Sequence, residues 1–291
     1  MSYLIFSDVS LDIDVEFAKS HDVRYIPMEY VLGEETHYCN EPESDEMMHN
    51  FYDKLRSKVT TQTSQITPTH YMDIFEPLVK EGNSILYISL SSGLSNTYES
   101  ALLAVQNLKE EYDDVHIEVV DSLAATGGMG ILVESACNNR EAGMSLEDNA
   151  AWLRSNANNI SLWFMVDDLM YLKRGGRVSA ASAVLGTALN IKPILRINPE
   201  GKLETIDKIR GQKQAVKGLI EKFEASYDPS LGQLVYICCA DCMDDAMTLK
   251  SMLTEKYSDL TVRVTMLSPI IGAHTGPNML SLIHFSKPRE A

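Results

Sequence analysis

Five serines and a threonine crowd into SLSSGLSNTYES, residues 89–100, directly after the apolar run Ile85-Leu86-Tyr87-Ile88. Ligands of open α/β sheets collect where a strand hands over to a helix, and unpaired N–H groups at a helix start favour an anion. Ser91, Ser92 and Ser95 would add hydroxyl donors there. The same stretch would also serve as a Ser/Gly turn with Ser95 as the helix cap. Its glycine spacing is neither G-x-G-x-x-G nor a P-loop, which disfavours a nucleotide. TTQTSQITPTHY, residues 60–71, is a second hydroxyl-rich segment, carrying Thr63 and Ser64 ahead of a helix capped by Thr67 with Pro68 in its first turn. IIGAHTGPNML, residues 270–280, puts His274 between glycines in what reads as a turn before a helix. An imidazole beside such hydroxyls has the donors to hold a carboxylate.

Lys173, Arg174 and Arg177 surround Gly175-Gly176, a basic island in a chain of net charge −16. It suits a phosphate or an acidic partner surface, although taken alone it reads first as a glycine turn with solvated charges. Cys239 and Cys242 form a CxxC with no second pair, so a zinc site is not expected. Asp8, Asp12 and Asp14 lack the glycine and terminal glutamate of a calcium loop and are read as turn and cap residues. No metal and no cofactor is therefore expected.

The surplus of acid excludes tracking along nucleic acid and adhesion to an anionic membrane. The first ten residues, MSYLIFSDVS, lack the basic region of a secretory signal, and no apolar run nears the ~18 residues of a membrane helix. A cytoplasmic location with reduced thiols is expected, without stable membrane insertion.

The elements that must carry these residues alternate. Strands are expected at Tyr3–Phe6, Val23–Met28, Ile85–Leu90, Ile117–Val120, Leu162–Val166, Pro193–Ile197, Leu234–Ala240 and Thr261–Leu267. Several are nearly all apolar, as strands covered on both faces are. Helical periodicity marks Thr97–Tyr112, Met129–Asn138, a helix opened by Ser145, Gln212–Phe223, Asp244–Tyr257 and Pro277–Phe285. The NPEG between β-like runs in Pro193–Arg210 reads as a hairpin. The fold class is α/β, with two domains. Residues 1–158 would hold a mostly parallel open sheet and the hydroxyl-rich loops. Residues 159–291 would hold a mixed sheet flanked by helices, with the GGR and GxHxGP motifs and the ligand site in between.

Six motifs occur in one order: Thr63-Ser64-Gln65 with Pro68; Ser91-Ser92-Gly93-Leu94-Ser95-x-Thr97-Tyr98; Asp121-Ser122; Tyr171-Leu172-x-Arg174-Gly175-Gly176-Arg177; Lys192-Pro193-Ile194-Leu195; Gly272-x-His274-x-Gly276-Pro277. Together they resemble the DegV family of bacterial lipid-binding proteins, which includes the fatty-acid-binding subunits of fatty acid kinase. The resemblance implies a non-enzymatic carrier that buries a long-chain fatty acid in an apolar tunnel and presents it to a separate ATP-dependent kinase. Carried across, the carboxylate would be held by Thr63, Ser91 or Ser92, and His274. Ser64, Ser95 and Thr275 would lie nearby, and Arg177 and Arg210 would meet phosphate or the kinase. Ile66-Thr67 and Asn278 depart from the family pattern near the head-group loops. Two rivals remain from other classes: a serine hydrolase using Ser92 and His274, which lacks the G-x-S-x-G elbow, and a lipid-sensing regulator.

Overall fold

The computed structural model describes residues 3–179 and 190–290, with strands numbered below in chain order. A parallel sheet of order β2-β1-β6-β7 is built from β1 (Leu4–Asp8), β2 (Val23–Ile26), β6 (Ile85–Ser89) and β7 (Ile117–Asp121). All five residues of β6 are buried, as a strand with helices on both faces requires. A small antiparallel sheet of order β4-β3-β5 joins β3 (Met28–Leu32), β4 (Glu35–Cys39) and β5 (Thr61–Thr63). The mixed sheet, of order β10-β9-β8-β13-β11-β12, comprises β8 (Ile160–Met165), β9 (Ile191–Ile197), β10 (Leu203–Arg210), β11 (Leu234–Cys239), β12 (Thr261–Met266) and β13 (Leu280–Phe285). The first two sheets draw only on residues before 122 and the third only on residues after 159. The helix Gly127–Glu141 packs against β1 and β6 on one side and β8, β11 and β13 on the other. Gly127 makes this approach possible, because a methyl there would stand 2.5 Å from the Tyr236 Cβ. One apolar cluster consequently runs from Ile5 and Leu86 through Ile131 to Leu162 and Ile283.

Several expectations are corrected. Val23–Met28 is two strands in two sheets, parted at Pro27, which has no N–H to give a ladder. The C-terminal helix lies at Pro269–Thr275, and Leu280–Phe285 is a strand buried along its whole length between β8 and β11. Gly276, at φ +72°, and Pro277 end the helix ahead of that strand. Asn96, not Ser95, precedes the helix Thr97–Glu111, while the Ser95 hydroxyl accepts from the Thr97 N–H at 3.3 Å. The NPEG hairpin is present, with β9 and β10 antiparallel around Asn198–Gly201. Residues 180–189, a run of mostly small and apolar residues after the GGR motif, lie outside the described residues. No helix among the described residues is long and apolar enough to cross a membrane.

Candidate functional site

A cavity of about 400 Å³ opens where the three sheets approach one another. Its polar lining includes Thr63, Ser92, Ser95, Arg177 and His274, and its apolar lining includes Leu90, Leu162, Phe164, Leu172, Ile197 and Met279. The volume falls in the ~300–1,000 Å³ range of small-molecule sites.

Thr63 ends β5, the edge strand that pairs Tyr30 with Thr63, and the next N–H, of Ser64, donates to the Glu29 carbonyl at 3.1 Å. That pairing fixes the hydroxyl in the cavity wall. His274 sits in the last turn of the helix Pro269–Thr275, not in a turn before a helix. The Thr63 Oγ1 and His274 Nε2 lie 2.7 Å apart. Burial, reinforced by the Arg177 charge, pushes the His274 pKa down to about 4, so the ring is neutral near pH 7. Its Nδ1 is buried without a hydrogen-bond partner. A proton on Nδ1 would be an unsatisfied buried donor, costing ~1–3 kcal/mol. A lone pair there, with the Arg177 charge acting on the ring, costs less. The favoured tautomer therefore carries its hydrogen on Nε2 and donates to Thr63 Oγ1. The Thr63 hydroxyl hydrogen is then free to donate to a ligand oxygen. Gly175 is required by this arrangement, since a methyl at that position would lie 2.2 Å from His274 Nδ1.

The serine loop differs from the expected anion cradle. Its backbone N–H groups are consumed internally: Ser92 donates to Asp121 Oδ1 at 3.1 Å, Gly93 to the Ser91 hydroxyl at 3.1 Å, and Leu94 and Ser95 to the Ser91 carbonyl. Ser91 is fully buried, and its hydroxyl donates to the Gly201 carbonyl at 2.8 Å, tying the loop to the β9–β10 turn. It is absent from the cavity lining, whereas Ser92 lines it. At this loop those four N–H groups are therefore not offered to a ligand.

Arg177 lines the cavity as well. Its Nε donates to the Leu94 carbonyl at 3.1 Å and its Nη1 to the Gly175 carbonyl, so it bridges the serine loop and the GGR turn. Arg210 is exposed at the end of β10 and does not line the cavity. Ser64 lines it, but its hydroxyl is given to Glu29 Oε1 at 2.9 Å. Thr275 also lines it and returns its hydroxyl to the Ile271 carbonyl at 3.3 Å. Ser95 and Thr97 share a hydroxyl–hydroxyl bond of 2.8 Å.

One lining residue escaped the sequence reading. Thr126 is buried, borders the cavity, and keeps its Oγ1 without a partner. Its φ of +51° is unusual for a β-branched residue and has no signature in the local sequence.

The geometry disfavours hydrolase chemistry. His274 Nε2 is bonded to Thr63 rather than Ser92, no carboxylate orients Nδ1, and a pKa near 4 makes a weak general base. Of the other candidate groups, Asp14 caps the helix Val15–Ser20 as read, and the five cysteines are unbridged. Asp8 and Asp12 are buried, and burial raises both carboxyl pKa values, that of Asp12 to about 7. Among the described residues no group of three or more His, Cys, Asp or Glu could hold a metal.

Known proteins resemble this chain along its whole length. The sequence model of the uncharacterised DegV family matches residues 2–287. A DegV domain-containing protein of Clostridium perfringens is 35% identical over 288 residues, covering 99% of both chains. Among solved structures, a fatty-acid-binding DegV family protein from Thermus thermophilus superposes with a TM-score of 0.84 at 28% identity, over 99% of this chain and all of that one. DegV of Bacillus subtilis, a fatty acid binding protein, gives 0.83 at 28% identity over the same shares. The family match, the relative's identity and the shared fold agree, and this chain belongs to the DegV family.

Proposed function

We propose that this protein binds a long-chain fatty acid in the cavity, with the carboxylate held by the hydroxyls of Thr63 and Ser92. The observation that carries the proposal is the 2.7 Å contact between Thr63 and a neutral His274 at the cavity wall. A buried carboxylate is costly unless several donors meet it. His274 supplies the order: by donating to Thr63 it turns the threonine hydroxyl outward as a donor. Thr126 and the positive charge of Arg177 add to the same wall. The acyl chain would run against Leu162, Phe164 and Ile197, each buried methylene contributing ~0.8 kcal/mol. The fatty-acid-binding relatives from Thermus thermophilus and Bacillus subtilis support the choice of ligand.

The protein would act as a carrier in the cytoplasm. It shields the chain and offers the carboxylate to a separate ATP-dependent kinase for conversion to an acyl phosphate, with Arg177 and the exposed Arg210 as contacts for phosphate or kinase. The division near residue 158 would then set the cavity between two units. Native mass spectrometry of freshly purified protein should reveal a co-purified acyl mass. A ligand-free protein that also ignores added palmitate and oleate would end the proposal. Acyl-phosphate formation by a cognate kinase should depend on this protein, and a kinase equally active without it would remove the carrier role.

A further inference from the structure

A second pocket, of about 240 Å³, lies beneath the C-terminal tail and is lined by Arg196, Lys222, Lys287 and Arg289, with Trp163 in its wall. The whole chain has 25 basic against 41 acidic residues, yet this pocket collects four cations and a single carboxylate, Glu290. Such a gathering costs self-repulsion unless an anion relieves it.

The charges are only partly compensated from within. Arg196 Nε bonds Glu204 at 2.8 Å, and Lys222 lies 3.8 Å from Asp207. Lys287 forms no ion pair among the described residues; Asp228 is the acid that feels its charge. Arg289 spends Nη1 and Nη2 on the carbonyls of Leu123 and Ala157, at 2.9 and 3.1 Å, and leaves Nε buried without a partner. Burial pushes its pKa down to about 10; Asp121 pulls that value back up, and Arg196 lowers it further. The guanidinium is held in place by two carbonyls, so its charge is fixed beside the pocket before any ligand arrives. The hydroxyl of Ser226, which also lines the pocket, is close enough to accept from Trp163 Nε1 at 3.4 Å.

We propose that this pocket is a binding site for a small phosphorylated anion, recognised by Lys222, Lys287, Arg196 and the guanidinium charge of Arg289. A multiply charged oxyanion matches both the fixed guanidinium charge and the mobile ammonium groups. The volume is too small for a drug-sized ligand and fits an inorganic phosphate or diphosphate group. None of the four cations belongs to the fatty-acid cavity.

The chain has two tryptophans, Trp152 and Trp163, so Trp152→Phe makes Trp163 the sole reporter. Emission would be followed while full-length protein is titrated with inorganic phosphate and pyrophosphate at constant ionic strength, with chloride as the control. Thermal unfolding would be read in parallel, in case the indole is silent. The expected result is a saturable change or a stabilisation with phosphate or pyrophosphate and none with chloride. Affinity should fall by about tenfold or more in Lys222→Ala/Lys287→Ala, while fatty-acid retention stays unchanged. Absence of both signals at tens of millimolar of either anion, or equal affinity in the double variant, would overturn the assignment.

Discussion

The coupling between Thr63 and His274 can be measured directly. Thr63→Val keeps the side-chain shape and removes the hydroxyl, and His274→Ala removes the ring that orients it. In the proposed site each change deletes or misdirects a buried donor to the carboxylate, a loss of ~1–3 kcal/mol. That converts to roughly 5- to 150-fold weaker binding. The two residues form one unit at 2.7 Å, so the second loss should cost little once the first has occurred. The double variant should bind about as weakly as the worse single variant. The coupling energy would then equal the smaller of the two single losses, ~1–3 kcal/mol, within the range for residues in one network. The assay is displacement of a fluorescent fatty acid from delipidated protein, with thermal unfolding confirming the fold of each variant. Strict additivity within ~0.5 kcal/mol would mean that the histidine does not act through the threonine. Unchanged affinity in all three variants would put the head group elsewhere.

Other consequences follow from the same geometry. Gly175→Ala sets a methyl 2.2 Å from His274 Nδ1 and must turn the ring away from Thr63. Fatty-acid affinity should drop by roughly fivefold or more, about the worth of one hydrogen bond, and wild-type binding would show that the ring position is unimportant. Gly127→Ala drives a methyl into the Tyr236 Cβ between the sheets. It should cost ~1–3 kcal/mol of stability through overpacking, read as a lowered unfolding midpoint in urea, and an unshifted midpoint would contradict the packing. The His274 pKa is depressed from an ordinary ~6.5 to about 4. Its stabilising contribution is thus present above ~6.5 and is lost as pH falls toward 4, because the unfolded chain takes up the proton first. The stability of the wild type relative to His274→Gln should therefore decline between pH 6.5 and 4.5, by at most ~1.4 kcal/mol per pH unit. A difference that stays flat across that range would show an unperturbed histidine.

Much of this was legible in the residues. The apolar run at Ile85–Ser89 reads as a strand covered on both faces, and all five of its residues are buried. Hydroxyl-rich segments pointed to Thr63 and Ser92, and both reach one cavity with His274. What escaped was decided by tertiary contacts. Leu280–Phe285 has no period to distinguish helix from strand, and pairing with β8 and β11 settles it. Thr61–Thr63 lacks an apolar face because it is an edge strand of a small sheet. The serines could not be sorted by sequence. Ser91 is claimed by a carbonyl 110 positions away and Ser92 is not. Arg177, read as part of a basic island for a phosphate or a partner, bridges the carbonyls of Leu94 and Gly175 at the cavity wall.

The position of the carboxylate is decisive, and a crystal structure of the protein loaded with palmitate would locate it. Carboxylate density is expected within ~3 Å of Thr63 Oγ1, with the chain extending past Phe164 and His274 still bonded to Thr63. Density for the acid at the protein surface, or a chain entering with its methyl end at Thr63, would contradict it.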